Sequence, residues 1–266
     1  MKKYITVSLI IFSGIFSSLS AQTAYVMPDK WYDNIVYAND NNTKIPLETK
    51  FNVTFDEKAI TIRVKLQDHY VQNLKNLPKG TDNVWPRGEN IEIFLDPGRT
   101  CSNYQQIAVG ANNDRWDKRW LKKTKTSWTA KTQITAEGWE TEIRLPYSDE
   151  GMVKPQLGDT WGFNLCRNVI NPQNNGRYFS TWAHVGAVFN RPDKFGKLIF
   201  GAPDLAKKSQ LAKVRKELKK LTVELKQKGL YQHFAARIKM LGVNGSEIDV
   251  RDIKDEMLVL EKLKGL

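Results

Sequence analysis

The sequence contains only two cysteines and three histidines in 266 residues. The cysteines, Cys101 and Cys166, can form at most one disulfide, and the sequence leaves open whether they pair or remain two separate thiols. The histidines, His69, His184 and His233, are too widely separated to suggest a metal site. The composition therefore gives no indication of a metalloenzyme or of a disulfide-rich scaffold.

Catalytic motifs that can be recognised from sequence are also missing. There is no nucleophile elbow, no HExxH pair and no glycine-rich phosphate loop. Glycoside hydrolysis would need two convergent carboxylates. Glu140 and Glu142 share one face of a predicted strand, but they alternate with Arg144 in the manner of a solvated outer surface. We therefore predict a protein that is not an enzyme.

Long apolar runs are confined to the N-terminus. Two lysines follow the initiating methionine, then an apolar run extends from Tyr4 to Leu19, and the small residues Ser20 and Ala21 follow it. This order is typical of a secretory signal peptide. The unbroken apolar part spans about 12 residues, fewer than the ~20 that cross a bilayer. We predict a signal peptide over residues 1–21, a mature chain that begins at Gln22 without a transmembrane segment, and export to the periplasm, cell surface or medium.

The net charge of +12 is unevenly distributed along the chain. Residues 22–200 hold 24 basic and 20 acidic residues, whereas residues 201–266 hold 15 and 9. The excess is greatest between Lys207 and Lys228, which suits a solvated helix face or attraction to an anionic surface or polymer. Because the charge is concentrated in this tail, we do not predict a nucleic-acid partner.

Residues 22–202 have the pattern of a β-sandwich. From Thr49 to Asp68 apolar residues alternate with polar ones on both sides of a short turn, which predicts a hairpin with one buried face. Seven more strands are predicted at Asn90–Asp96, Tyr104–Gly110, Trp128–Ile134, Trp139–Leu145, Thr160–Arg167, Arg177–His184 and Lys197–Phe200. Loops rich in Gly, Pro, Asn and Asp separate them, one of them at residues 171–176. The prediction is mainly β: an antiparallel two-sheet sandwich.

The hydrophobic period changes after Pro203, and residues 203–266 are predicted to be a helical extension. Leu211, Val214, Leu218, Leu221 and Leu225 recur at intervals of three and four, which is typical of a helix with one apolar face. Asp204 is the predicted N-cap of this helix. Two further helices are predicted, near residues 231–241 and 249–264. The apolar stripe suits packing against those helices or against the sandwich, and a coiled coil is the alternative.

Three groups of motifs carry a family resemblance. They comprise Asp82–Pro97, with its Glu-Asn-Ile-Glu-Ile-Phe-Leu-Asp-Pro run, then Gly138–Pro146 with Gly158–Asn168, and Ser180–His184 with Asn190–Leu198. Their order and spacing resemble a family 9 carbohydrate-binding module within the DOMON-like sandwiches. The resemblance covers about residues 30–200. It implies a slot in which two tryptophans clamp a sugar ring while polar neighbours bond its hydroxyls.

The resemblance assigns the two clamping positions to Trp85 and Trp182. Pyranose faces are patches of C–H, so stacking on an indole buries apolar area and leaves the hydroxyls free. Glu92 matches a family carboxylate, and Asn164 and Arg167 are further candidates for contact with hydroxyls. Better-studied modules place an Arg where this chain has Ala108, so either Arg167 supplies that cation or the sugar preference differs.

The resemblance also implies a calcium site as a family feature, for which Asp96, Asn112, Asn113 and Asp114 are candidates, although no cofactor is required for the predicted function. The predicted partner is a mono-, oligo- or polysaccharide, and a separate glycoside hydrolase is a second possible partner in glycan degradation or uptake. The alternative function is a cell-envelope scaffold or protein-interaction module that uses the basic helices.

Overall fold

The computed structural model describes residues 22–82, 84–86, 88–119, 127–171, 176–186, 188–245 and 247–264. The predicted signal peptide lies outside these residues, as does most of the predicted loop at residues 171–176. Within the described part of the chain, no helix is both long and apolar enough to cross a membrane.

The strands lie between Thr23 and Phe200, and the three long helices follow them. The strands are β1 Thr23–Val26, β2 Trp31–Tyr32, β3 Val36–Tyr37, β4 Asp40–Lys44, β5 Thr49–Phe55, β6 Ala59–Gln67, β7 Asn90–Asp96, β8 Gln105–Gly110, β9 Arg115–Arg119, β10 Thr129–Ile134, β11 Gly138–Pro146, β12 Thr160–Asn171, β13 Gly176–Thr181 and β14 Gly196–Phe200. The helices are α1 Val71–Lys75, α2 Pro203–Gln227, α3 Tyr231–Asn244 and α4 Glu247–Lys264, with a 3-10 turn at Pro192–Lys194.

The strands form two sheets, as the sequence predicted. The long sheet has the order β4-β3-β13-β12-β7-β8-β9, and β14 pairs with β12 and with β1 at its side. The short sheet has the order β10-β11-β6-β5-β2. The strand pairs of both sheets are antiparallel except that β1 runs parallel to β14.

The core lies between the two sheets and follows from the two-residue period of the strands. The short sheet contributes the alternating residues of β5, β6 and β11, and the long sheet contributes those of β7, β8 and β12. Both faces of β7 are buried, because the side chains of its outer face are covered as well. The outer face of the long sheet therefore has a second buried layer, and this layer forms the base of the candidate site.

The helical extension has a hydrophobic cluster of its own. Val214, Leu218, Leu221 and Leu225 of α2 are buried against side chains of α3 and α4, which confirms the predicted packing of the stripe. Asp204 is not the N-cap: Ala202 has that position, and Pro203 begins the helix. Asp204 lies instead in the first turn, where its negative charge interacts favourably with the positive end of the helix dipole.

The start of α2 is bonded to the end of the sandwich. The Gln210 side-chain amide donates hydrogen bonds to the Gly158 carbonyl, at 2.9 Å, and to the Thr160 hydroxyl, at 3.2 Å. The Ser209 hydroxyl donates to the Leu157 carbonyl at 2.6 Å. These bonds join the helical extension to the strand that crosses the centre of the long sheet.

Truncation of Trp161 tests the assignment of the core. Its indole is buried and meets the Phe200 ring edge-on, with ring centroids 4.8 Å apart. We expect Trp161→Ala to lower the free energy of unfolding by about 3–5 kcal/mol, because the indole leaves a cavity. Val153→Ala, at an exposed position, is the control and should change it by less than about 0.5 kcal/mol. Urea denaturation measures both, and similar small losses would contradict the assignment.

Candidate functional site

The register of β7 against β12 brings three polar side chains together on the outer face of the long sheet. Asn90 lies opposite Asn168, and Glu92 lies opposite Cys166 one step along. On the far side of β12, Phe179 of β13 is the partner of Asn168. Since directly opposed residues of a sheet share a face, these side chains form one continuous surface.

A cleft of about 470 Å³ lies over this surface. It is lined by Trp85, Pro86, Gly88, Asn90, Glu92, Asn168, Ile170, Arg177, Phe179 and Phe189. Of the sequence-predicted residues, Trp85 and Glu92 are brought together here. The volume is in the range of small-ligand sites, which is roughly 300–1,000 Å³.

Partly exposed aromatic rings stand on both sides of the cleft. Trp85 is 40% exposed and meets the ring of Trp116 edge-on, with centroids 4.8 Å apart. Phe179 is 44% exposed and is supported by Phe189 in the same edge-on manner, at 6.1 Å. Each partly exposed ring therefore packs against a second ring. Trp85 and Phe179 can offer apolar faces to a ligand between them.

The floor of the cleft is polar and centres on Glu92. Its two carboxylate oxygens accept hydrogen bonds from the side-chain amides of Asn168, at 2.9 Å, and Gln106, at 2.8 Å. Burial raises the pKa of the Glu92 carboxyl, and the two amide bonds oppose that rise in part. A carboxylate has about four lone-pair positions, so two accepted bonds leave capacity for donors on a ligand.

Asn90 connects the floor to the loop that carries Trp85. Its side-chain nitrogen donates to the carbonyls of Gly88, at 2.7 Å, and Pro86, at 3.3 Å. Its side-chain oxygen accepts from Asn168 at 2.7 Å. The amides therefore fix the loop and the carboxylate relative to each other, so that this part of the cleft is formed before a ligand arrives.

Trp182 lies in the core, contrary to the prediction that it faces the cleft. Position 182 has the parity of Ser180, whose partner Arg167 points between the sheets, and its backbone amide donates to the Leu165 carbonyl, so the alternation itself turns the indole inward. The indole is fully buried, with the rings of Phe51 and Phe163 5.6 and 5.5 Å away. A Cβ at position 196 would overlap it, which explains why that position is Gly196. The predicted clamp by Trp85 and Trp182 is therefore wrong, and Phe179 is an exposed aromatic ring of the cleft in addition to Trp85.

Asn164 is on the outer face of the long sheet, as its alternation predicted, but it lies outside the cleft. Its side-chain nitrogen donates to the Thr181 hydroxyl at 2.9 Å, and its oxygen accepts from the Ala183 backbone amide at 2.8 Å. These bonds fully bury the side chain beneath the segment that follows β13. Asn164 is therefore a structural anchor rather than the predicted ligand contact.

Arg167 is also absent from the cleft, because it points between the two sheets. Its guanidinium donates to the Glu89 carboxylate at 2.7 Å, to the Thr49 hydroxyl at 2.8 Å and to the Gln67 carbonyl at 2.7 Å. The Asp68 carboxylate lies 3.8 Å away. The side chain is fully buried, so the prediction that it contacts sugar or replaces a cation near Ala108 is wrong.

The two cysteines are free thiols. Cys101 is exposed in the turn after β7, whereas Cys166 is buried on the outer face of the long sheet. Burial raises the pKa of the Cys166 thiol well above its usual value. The alternative of a disulfide between them is not realised in this structure.

The carboxylates of Asp96 and Asp114, two of the predicted calcium ligands, accept hydrogen bonds from nearby backbone amides. Asp96 accepts from the backbone amides of Thr100, at 3.1 Å, and Cys101, at 2.8 Å. Asp114 accepts from the Thr81 backbone amide at 2.9 Å. Among the described residues, no group of three or more His, Cys, Asp or Glu side chains could hold a metal ion. Calcium binding stays an untested prediction.

Two of the ten residues that line the cleft were predicted from the sequence, and the eight that were missed include Asn90, Asn168, Phe179 and Phe189. A signal for Asn168 was present, since it continues the alternation of Asn164 and Cys166 on one face. Phe179 had the signal of an apolar residue flanked by polar neighbours in a predicted strand. The pairing of β12 with β7 and β13 selects these positions, and the register of that pairing cannot be read from one sequence.

An open, aromatic-walled cleft on one sheet of a two-sheet sandwich defines a β-sandwich binding module. The chain belongs to the carbohydrate family 9 binding domain-like family, which matches residues 22–201. This match confirms the resemblance recognised from the three groups of motifs. Among curated proteins, none matches the chain.

Solved structures resemble this chain over the sandwich. A candidate carbohydrate-binding protein from Bacteroides uniformis has a TM-score of 0.52 and 16% identity, over 68% of this chain and 100% of that one. A family 9 module from Caldicellulosiruptor kristjanssonii in complex with glucose has a TM-score of 0.49 and 17% identity, over 68% and 96%. The module from that organism in complex with cellotriose has a TM-score of 0.48 and 20% identity, over 69% and 96%. The first of these similarities supports the fold.

Removal of Arg167 tests its structural assignment. We expect Arg167→Ala to lower the free energy of unfolding by about 3–5 kcal/mol, because Glu89 and Asp68 would stay buried without their cation. Arg63→Ala is the control: Arg63 pairs with Glu142 at 2.8 Å on the surface, and its loss should cost less than about 1 kcal/mol. Chemical denaturation at pH 7 measures both variants. Equal losses would contradict the role of Arg167 as a buried link between the sheets.

Proposed function

We propose that the chain is an exported, non-catalytic carbohydrate-binding protein whose cleft on the long sheet holds a sugar ring against aromatic side chains. The observation that carries this proposal is the combination of exposed Trp85 and Phe179 with a buried carboxylate and amides between them. Family membership supports the same ligand class.

The cleft suits the two chemically different surfaces of a sugar. The C–H faces of a pyranose lose contact with water when they stack on an aromatic ring, which is favourable by about 25 cal/mol per Å². The hydroxyls at the ring edge can donate to the Glu92 carboxylate. A charged acceptor of this kind makes shorter and stronger hydrogen bonds than a neutral one.

A binding role fits the cleft better than hydrolysis does. Hydrolysis of a glycosidic bond requires two carboxyl groups on opposite sides of that bond. Among the described residues that line the cleft, Glu92 is the one carboxylate. Glu142, one of the acidic residues considered earlier, is on the outer face of the short sheet and pairs with Arg63.

The apolar N-terminal run supports export. A secreted binding protein without its own catalytic site fits a role in glycan degradation or uptake. In that role a separate glycoside hydrolase would act on the bound polymer. A cell-envelope scaffold that uses the basic helices is the second candidate, and the concentration of positive charge in residues 201–266 favours it.

Truncation of the two aromatic walls tests the site directly. We expect Trp85→Ala and Phe179→Ala each to weaken sugar binding about thirtyfold, because loss of a central aromatic contact costs ~2 kcal/mol or more. Neither variant should shift the melting temperature much, since both rings are partly exposed. Trp182→Ala should instead lower it strongly by opening a core cavity. A glycan array followed by calorimetry and thermal melting gives these values; unchanged affinity in both wall variants would refute the site.

The protonation of Glu92 gives the cleft a defined pH dependence. Because burial raises its pKa, the carboxylate is protonated at a higher pH than an exposed glutamate would be. Sugar affinity should therefore be full above this raised pKa and should fall as the pH drops through it. Glu92→Gln should bind more weakly at pH 7 and remove the dependence. Because the ordinary glutamate pKa is about 4.3, calorimetric titrations between pH 4 and pH 8 cover the expected fall in affinity. A pH profile that Glu92→Gln leaves unchanged would assign the dependence to another group.

A further inference from the structure

Helix α2 has one face that is occupied by cations. Lys208, Arg215, Lys219 and Lys226 follow one another at spacings of seven, four and seven residues, and Lys216 lies beside them. At 100° per residue these spacings return to the same side of a helix. All five positions are exposed, and we call this surface the basic stripe. From Lys208 to Lys226 it extends about 27 Å, at 1.5 Å per residue.

Two of the three acidic residues of α2 are paired away from the basic stripe, and the third, Asp204, forms no ion pair with it among the described residues. Glu217 is turned toward α4, where it accepts hydrogen bonds from Lys254 at 3.2 Å and from Lys220 at 3.1 Å. Glu224 pairs with Lys228 at 3.1 Å, past the end of the helix. The carboxylates of Glu217 and Glu224 are therefore paired with lysines of the helical extension that lie outside the basic stripe.

Several cations of the basic stripe have no carboxylate partner. Within the described part of the chain, Lys208, Lys216 and Lys219 are not within ion-pair distance of any carboxylate. Lys226 lies over the ring of Tyr231 at 5.1 Å. Three of the five cations therefore have no direct ion pair, and their charges are available to another molecule.

We infer that the basic stripe binds a linear acidic polysaccharide, one that carries carboxylate or sulfate groups along its length. The stripe is one helix wide, so its charges match a chain better than a flat surface. Membrane-surface helices also present a broad apolar face, whereas the apolar face of α2 is buried against α3 and α4. Proteins that bind single-stranded nucleic acid add a series of aromatic rings for base stacking, whereas among the described residues Tyr231 is the one ring recorded against a cation of the stripe.

This surface is separate from the proposed cleft, since α2 is bonded to the sandwich through Gly158 and Thr160, whereas the cleft is lined by other residues. A polymer held on the stripe would raise the local concentration of sugar units near the protein. Two linked contacts to one polymer increase its overall affinity without any new contact in the cleft.

The test uses the full chain and three lysine substitutions that break no ion pair. Lys208→Gln, Lys216→Gln and Lys219→Gln are combined in one variant, and glutamine keeps the helix propensity of lysine. Lys58→Gln, Lys79→Gln and Lys194→Gln form the matched control, because these exposed lysines lie on the sandwich and the change in net charge is the same. The probe is sodium polygalacturonate at low ionic strength, with dextran, single-stranded DNA and anionic lipid vesicles as comparisons.

We expect the stripe variant to lose binding to polygalacturonate on the order of a hundredfold, and the control variant to lose much less. Added salt should weaken binding of the parent chain, because it screens exposed charges. Trp85→Ala should keep the polymer bound. Equal losses in both lysine variants, or lysine-dependent binding to vesicles or DNA in place of polygalacturonate, would overturn the inference. Loss of the polymer in Trp85→Ala alone would also overturn it, while leaving the cleft function intact.

Discussion

β7 and β12 lie side by side at the centre of the long sheet, with Asn90 opposite Asn168 and Glu92 opposite Cys166. Their inner faces bury Ile, Leu and Phe side chains against the short sheet, so the register cannot slip by one residue without exposing that set to water. The same register places the polar side chains of both strands on the outer face. The candidate site is therefore a consequence of the pairing that also closes the core.

Polar groups buried near these strands have two different roles. Arg167 points inward and joins both sheets through Glu89, Thr49 and Gln67. Glu92 points outward, and its described hydrogen-bond partners are the two amides of Gln106 and Asn168. The guanidinium of Arg167 donates to three protein groups. The Glu92 carboxylate, at the floor of the cleft, accepts two hydrogen bonds and can accept more from a ligand. This difference separates a structural charge from one suited to binding.

Much of the fold could be predicted because local patterns specify it. The bounds of β7 were predicted to the residue. The apolar face of α2 was also predicted, including Leu218, Leu221 and Leu225, which are buried. Short elements such as β2, β3 and β9 were missed, since two to five residues carry too little periodicity. The site was predicted only in part: Trp85 and Glu92 line the cleft, whereas Trp182, Asn164 and Arg167 do not. A motif marks a residue type but not the face on which its side chain lies, and the register of β13 against β12 places Trp182 on the inner face.

The most direct test of this account is nuclear magnetic resonance on the labelled full chain, titrated with a sugar that a glycan array identifies. The indole N–H of Trp85 and the side-chain amides of Asn90, Asn168 and Gln106 should shift progressively and saturate together. The indole signals of Trp161 and Trp182 should change little, because both rings are in the core. Saturable shifts confined to the short sheet, for example at Trp31, with no change at Trp85 or Asn168, would contradict the placement of the site on the long sheet.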